Sequence, residues 1–179
     1  MATLIHEHQL GSCCLISGSA WLTIPKNASS LLRELSKHDG LLYNETIFNY
    51  PLTVVIRDPV DRWVSGMSEY LSRKTGGYFV IANQPTYDDL YNKIEYDAHT
   101  APQHRFFENF TVNQFYLFED IPSLFPKSER INSMDSTWMR RQVKDWVLSK
   151  MDDRLEKQII KYYEKDYQLY QELKKQRNA

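Results

Sequence analysis

Residues 52–56 read Leu-Thr-Val-Val-Ile, and the triplet Arg57-Asp58-Pro59 follows at once. An apolar, β-branched run without alternation fits a strand covered on both faces. Pro59 lacks a backbone donor and cannot extend a central strand, yet its φ suits the first position of a helix. Asp58 stands where a capping side chain would. Val60, Trp63, Val64, Met67 and Leu71 then recur at helical spacing up to about Arg73, and Gly76-Gly77 closes the unit. A buried strand leading straight into an amphipathic helix is the building block of a parallel sheet with helices on its faces.

The pattern occurs twice more. Ala20 to Ile24 is a strand stopped by Pro25, and a helix from about Ser29 to His38 carries Leu31, Leu32 and Leu35 on one face. Ser29 or a neighbour is placed to cap that helix, and Gly40 lies just past its end. Gln114 to Phe118 is the third strand, followed by Glu119-Asp120 and a short helical turn from Ile121 to Phe125. Between the second and third strands the sequence predicts a short helix from Tyr87 to Ile94 and a polar loop over 97–103. One long helix is predicted from Asp153 to Lys175. The expected fold class is α/β: three layers, with a mostly parallel central sheet flanked by helices. No repeat, linker or low-complexity run divides the chain, so residues 1–179 read as one domain. A chain of this size buries roughly 70% of its unfolded surface, enough to fold without a metal or disulfide staple.

Charge narrows the partners. Lys and Arg number 22 against 23 Asp and Glu, for a net charge of −1. A general nucleic-acid binder needs a basic excess, and a long polyanionic glycan is also disfavoured as a partner. Cys13 and Cys14 are adjacent and poorly placed to bridge each other, which points to a reducing compartment. His and Cys do not recur at zinc-ligand spacing, so no metal is expected. No stretch approaches the roughly 20 apolar residues of a membrane span, and the first residues lack a leader pattern. The expectation is a cytoplasmic protein.

Two motifs carry chemistry, each just after a predicted strand. The first is Pro25-Lys26-Asn27-Ala28-Ser29-Ser30. Small residues let backbone N–H groups close around an anion, a helix start adds donors, Lys26 adds a charge, and Ser29 and Ser30 add hydroxyls. The glycines of a Walker A loop are absent. The second motif runs from Arg57 to Ser65. Arg57 ends the strand and Ser65 follows about two helical turns later, so guanidinium and hydroxyl are placed to meet one phosphate.

Together these motifs resemble those of sulfotransferases that use 3′-phosphoadenosine-5′-phosphosulfate (PAPS), most closely the carbohydrate (Golgi-type) branch. Residues 25–30 look like the family's 5′-phosphosulfate loop, and residues 55–65 look like its 3′-phosphate segment. Three further segments are similar to that branch: Asp97-Ala98-His99-Thr100-Ala101-Pro102-Gln103, the strand 115–121 ending in Glu119-Asp120, and the tyrosine-rich helix at 160–167. The resemblance spans about residues 20–170. Golgi members carry an anchor and stem that are absent here, and the chain is short for the family. Both features argue against a glycosaminoglycan-type acceptor, and a compact bacterial or viral member is expected.

The resemblance implies a P-loop nucleotide-kinase-like fold and in-line transfer of a sulfuryl group to an acceptor hydroxyl or amine, on a carbohydrate or small molecule. It implies PAPS as donor, 3′-phosphoadenosine-5′-phosphate (PAP) as product, and no metal. Pro25, Lys26, Asn27, Ala28, Ser29 and Ser30 would hold the 5′-phosphosulfate, with Lys26 on the bridging oxygen. Arg57 and Ser65 would hold the 3′-phosphate; apart from the resemblance, Lys127 or Arg130 is placed in a loop that could reach it. His99 is the expected base, with Glu45, Glu69 and Glu119 as rivals, and His104 and Arg105 are near enough in sequence to meet the acceptor. Two other functions fit the same residues less fully: a nucleotide-binding module without turnover, and a small-molecule kinase.

Overall fold

The computed structural model of the chain describes residues 12–37, 40–74, 87–126 and 138–178. The expectations placed on Gly76-Gly77, Lys127 and Arg130 lie outside the described residues, as does the Glu45 side chain.

The fold begins with a hairpin. Strand β1 (Ser12–Ile16) turns through Ser17 and Gly18 into β2 (Ser19–Leu22). Both turn residues have positive φ, 51° and 79°, which gives the turn the twist that two antiparallel strands need. Helix α1 (Ser29–Leu35) leads to β3 (Leu41–Tyr43), and a 3-10 turn to β4 (Leu52–Ile56). Helices α2 (Pro59–Lys74) and α3 (Tyr87–Asn92) precede β5 (Gln114–Leu117). Then come α4 (Ile121–Leu124), α5 (Trp138–Ser149), α6 (Asp153–Tyr162) and α7 (Glu164–Arg177).

The five strands lie in the order β3-β1-β2-β4-β5. β2 pairs parallel with β4, and β4 with β5. β1 is antiparallel to both β2 and β3. Four strands therefore point one way, and only the hairpin strand β1 opposes them. The three strands legible in the sequence are the parallel ones, β2, β4 and β5. β1 and β3 escaped notice because neither shows a clear period: β3 has three residues, and β1 is defined mainly by its hairpin partner.

Side chains alternate cleanly across the sheet. Ala20, Leu22, Val54, Ile56 and Leu117 face one side, where Phe106 and α7 residues Leu169, Tyr170 and Leu173 cover them. Cys14, Ile16, Trp21 and Val55 face the other, against Leu31 and Leu32 of α1 and Ile121 of α4. The sheet thus carries helices on both faces. Full burial of such side chains is worth about 1.5–3 kcal/mol each. A third cluster contains no strand residue: Trp63 and Met67 of α2 pack with Leu90, Val147, Leu155 and Ile159. No helix among the described residues is long and apolar enough to cross a membrane.

Three elements differ from expectation. β2 stops at Leu22, and α1 stops at Leu35. The single C-terminal helix is broken at Tyr163, whose φ and ψ are −101° and 31°. The break lets two polar side chains, Tyr163 and Asp166, turn inward and be buried. Their hydrogen bonds offset one interrupted helical turn.

Candidate active site

β2, β4 and β5 run parallel, so the loops that leave them emerge at one edge of the sheet, where ligands of open α/β sheets bind. The loop after β2 is strained. Lys26 and Ala28 both have positive φ, 68° and 62°, in the left-handed region that non-glycine residues rarely enter. Asn27 donates its backbone N–H to the Ile24 carbonyl, 3.1 Å, closing a tight turn. That N–H is engaged within the turn. Of the expected cap at Ser29 or a neighbour, the neighbour Ala28 takes the position, without a side-chain hydrogen bond. Ser29 is half-buried and Ser30 exposed.

The Asn27 side chain faces the interior. It is completely buried, and its amide donates to the Val55 carbonyl at 2.7 Å and to Gln103 Oε1 at 2.5 Å. Its Oδ1 is buried without a partner among the described residues. Such an unmet acceptor costs about 1–3 kcal/mol unless a donor reaches it. Gln103 in turn brackets the end of β4: its Oε1 accepts the Arg57 N–H at 3.0 Å, and its Nε2 donates to the Arg57 carbonyl at 2.9 Å.

Arg57 therefore has a fixed backbone. Its guanidinium lies over Phe118, 4.6 Å from the ring centre, and donates to the Lys26 carbonyl at 3.2 Å. A cavity of about 290 Å³ opens beside it, lined by Arg57, Asp58, Asp61, Phe118, Glu119 and Ile121. Asp58 is the cap expected from sequence: its Oδ1 accepts the N–H groups of Val60 and Asp61, at 2.9 and 3.1 Å. Ser65 lies further along α2, half-buried.

One face of α2 organises the rest. Arg62 is almost wholly buried and spends its guanidinium on three carbonyls: Pro25 at 3.2 Å, Ala101 at 2.5 Å and Ala98 at 3.2 Å. Burial pushes it below its ordinary pKa, with Tyr163, Asp166 and Asp97 opposing that shift. It ties the loop after β2 to the 97–103 loop. One turn on, Gly66 touches the latter; a Cβ there would collide with the His99 carbonyl. Next comes Glu69, buried, 3.7 Å from the Lys26 ammonium and 2.7 Å from Arg73. Gly66 and Glu69 are about 4.5 Å apart along the helix axis, so His99 and Lys26 meet neighbouring turns of one face.

His99 sits in a self-bonded turn, its Nδ1 2.9 Å from Asp97 Oδ2. Burial pushes the Asp97 carboxyl up, but the hydrogen bond and charge of His99 and two backbone N–H groups outweigh it, and the net direction is down. His104 and Arg105, weighed as acceptor contacts, have structural partners instead: Asp166 at 2.8 Å and Glu95 at 2.7 Å. Glu119, a rival base, accepts the Tyr170 hydroxyl at 2.5 Å. Among the described residues no group of three or more His, Cys, Asp or Glu is arranged to hold a metal ion.

Several residues that build this site carried no assigned role in the sequence. Arg62, Gly66, Gln103, Tyr163 and Asp166 hold its loops together. Asp166 left a signal: it stands between Tyr163 and Tyr170 at spacings of three and four, on the apolar stripe of a helix, where a carboxylate is buried only if it is bonded. Comparison of the chain with protein-family models, with curated proteins and with solved structures finds no match in any of the three.

Proposed function

We propose that the protein is a PAPS-dependent sulfotransferase with a P-loop-like donor site at this sheet edge. One observation carries the reading: the five segments that resemble the family, far apart in sequence, are in contact with one another. Arg57 reaches Lys26, Asn27 reaches Gln103, and Arg62 reaches Pro25 and Ala98. Tyr163 donates to the Thr100 carbonyl, and the Arg57 guanidinium lies over the Phe118 ring.

The charges fit an anionic donor. Lys26, Arg57 and the buried Arg62 stand close together, while Glu69 is the carboxylate paired with Lys26. In this reading Lys26 steadies the bridging oxygen as the S–O bond breaks, which places fixed charge where charge develops. Arg57 and Ser65 take the 3′-phosphate, which separates PAPS from ATP. His99 takes the acceptor's proton.

Calorimetric titration with PAP, AMP and ATP tests the donor site. PAP should bind more tightly than the other two, and Arg57→Ala should weaken PAP by at least about tenfold, the loss of one charged hydrogen bond. No PAP binding by folded protein removes the reading, and equal binding of ATP points to a kinase. The Lys26–Glu69 pair favours one second reading, a nucleotide-binding module without turnover, because the carboxylate already offsets the lysine's charge. PAP binding without transfer to any acceptor would select it.

A further inference from the structure

We propose that Asp97 is a positioning residue for His99: it holds the imidazole proton on Nδ1 and so leaves Nε2 to receive the proton of the acceptor hydroxyl. The inference rests on the sulfuryl-transfer reading above and adds a residue to it.

One carboxylate grips His99 twice. Asp97 Oδ1 accepts the His99 backbone N–H at 2.9 Å, and Oδ2 meets the ring Nδ1 at 2.9 Å. An ionised carboxylate offers only acceptors, so Nδ1 is the donor in that contact. The direction of the Asp97 shift agrees, since a carboxyl held low stays ionised. The turn that presents Asp97 is itself fixed. Thr100 is wholly buried, and its Oγ1 accepts the N–H groups of Tyr96 and Asp97 at 2.7 and 3.0 Å. From outside the turn, Tyr163 donates to the Thr100 carbonyl and Arg62 to those of Ala98 and Ala101. Gly66 brings α2 against the His99 carbonyl. The imidazole is thus set on a rigid frame by its backbone, its neighbour and its ring nitrogen. A floppy surface histidine would need none of these.

The step balances without a further reagent. The acceptor oxygen forms a bond to sulfur, and its proton passes to His99 Nε2. The bond between sulfur and the bridging oxygen of PAPS breaks, and its electron pair stays on that oxygen, which leaves with PAP. Asp97 keeps the Nδ1 proton bonded throughout and faces the imidazolium that results.

Asp97→Asn is the discriminating variant because it is isosteric. Its oxygen can still accept the His99 backbone N–H, which turns its amide NH2 toward Nδ1 and drives the ring proton to Nε2. Long-range 1H–15N spectra of protein labelled in its histidine rings read the tautomer directly. His99 should carry its proton on Nδ1 in the wild type and on Nε2 in Asp97→Asn. With an acceptor found by screening radiolabelled PAPS, kcat of the variant should fall about 100-fold or more while PAP affinity stays within about twofold. An Nε2–H ring in the wild type, an unmoved proton in Asp97→Asn, or an unchanged kcat overturns the proposal. The PAP titration separates the two ideas. PAP binding with the wrong tautomer removes the role of Asp97 and keeps the donor site. The right tautomer without PAP binding removes the donor reading and the base role drawn from it.

Discussion

His99 and His104 each present Nδ1 to a carboxylate, 2.9 Å from Asp97 and 2.8 Å from Asp166, but the two pairs stand in different surroundings. Asp166 has no exposed side-chain surface, and its oxygens are spent: Oδ2 on the Gln103 N–H at 2.5 Å, Oδ1 on the His104 N–H at 2.8 Å and on the ring. It splices α7 onto the loop that brackets Arg57. Asp97 keeps a third of its side-chain surface exposed and bonds only within its own turn and to the ring. The distance between ring and carboxylate is nearly the same in both. The role is set by where the carboxylate's remaining acceptors go: to the scaffold in one pair, to orienting a single residue in the other.

The largest effect that this contrast predicts is on stability. Asp166→Ala strands the buried Gln103 N–H and the half-buried His104 N–H and should cost about 3–5 kcal/mol, lowering Tm by roughly 10 °C. Asp97→Asn should stay within about 1 kcal/mol of the wild type. Thermal melts of the two variants side by side check the contrast, and equal losses would erase it. Gly66→Ala comes next. Its Cβ meets the His99 carbonyl carbon at 2.7 Å, so α2 or the 97–100 turn must move. A cost of about 1–3 kcal/mol is expected. In histidine-ring spectra the His99 signals should shift strongly, while those of His104, held from α7, stay near their wild-type positions.

The smallest effect is in acid. The Asp97 carboxyl lies below its ordinary value when folded, so its share of the stability is fully present above the unfolded value of about 3.9 and fades as pH falls through the lower folded value. Urea unfolding from neutral pH down to about pH 2.5 should show a shallower acid loss in Asp97→Asn than in the wild type. Parallel curves would mean that the carboxyl is not held low.

Much of the frame was legible because its signals are local. The β-branched run at 52–56, Pro59 at the head of a helix and the apolar stripe of α2 each depend on neighbours a few residues away. So does the Asp58 cap, which forms as expected. The hairpin strand β1 and the short β3 were missed because their pairing partners, not their own periods, define them. The unbroken C-terminal helix was misjudged for a related reason. Helical propensity runs straight through Tyr163, but that residue's hydroxyl and the Asp166 carboxylate find buried partners more than 60 positions earlier, and those contacts win.

The candidate site divides the same way. The sequence by itself determined which residue types stand at the strand ends: Lys26 with the serines after β2, Arg57 after β4, and a polar loop with His99 before β5. Only the tertiary structure decided that Asn27 turns inward while Lys26 meets Glu69, that Gln103 clamps Arg57, and that Asp97 rather than a distant acid holds His99. The physical reason is reach. Backbone preference and amphipathic period act over a turn or two of chain. A buried hydrogen bond is settled by whichever partner the packed layers bring within 3 Å or so, and no local pattern records that choice.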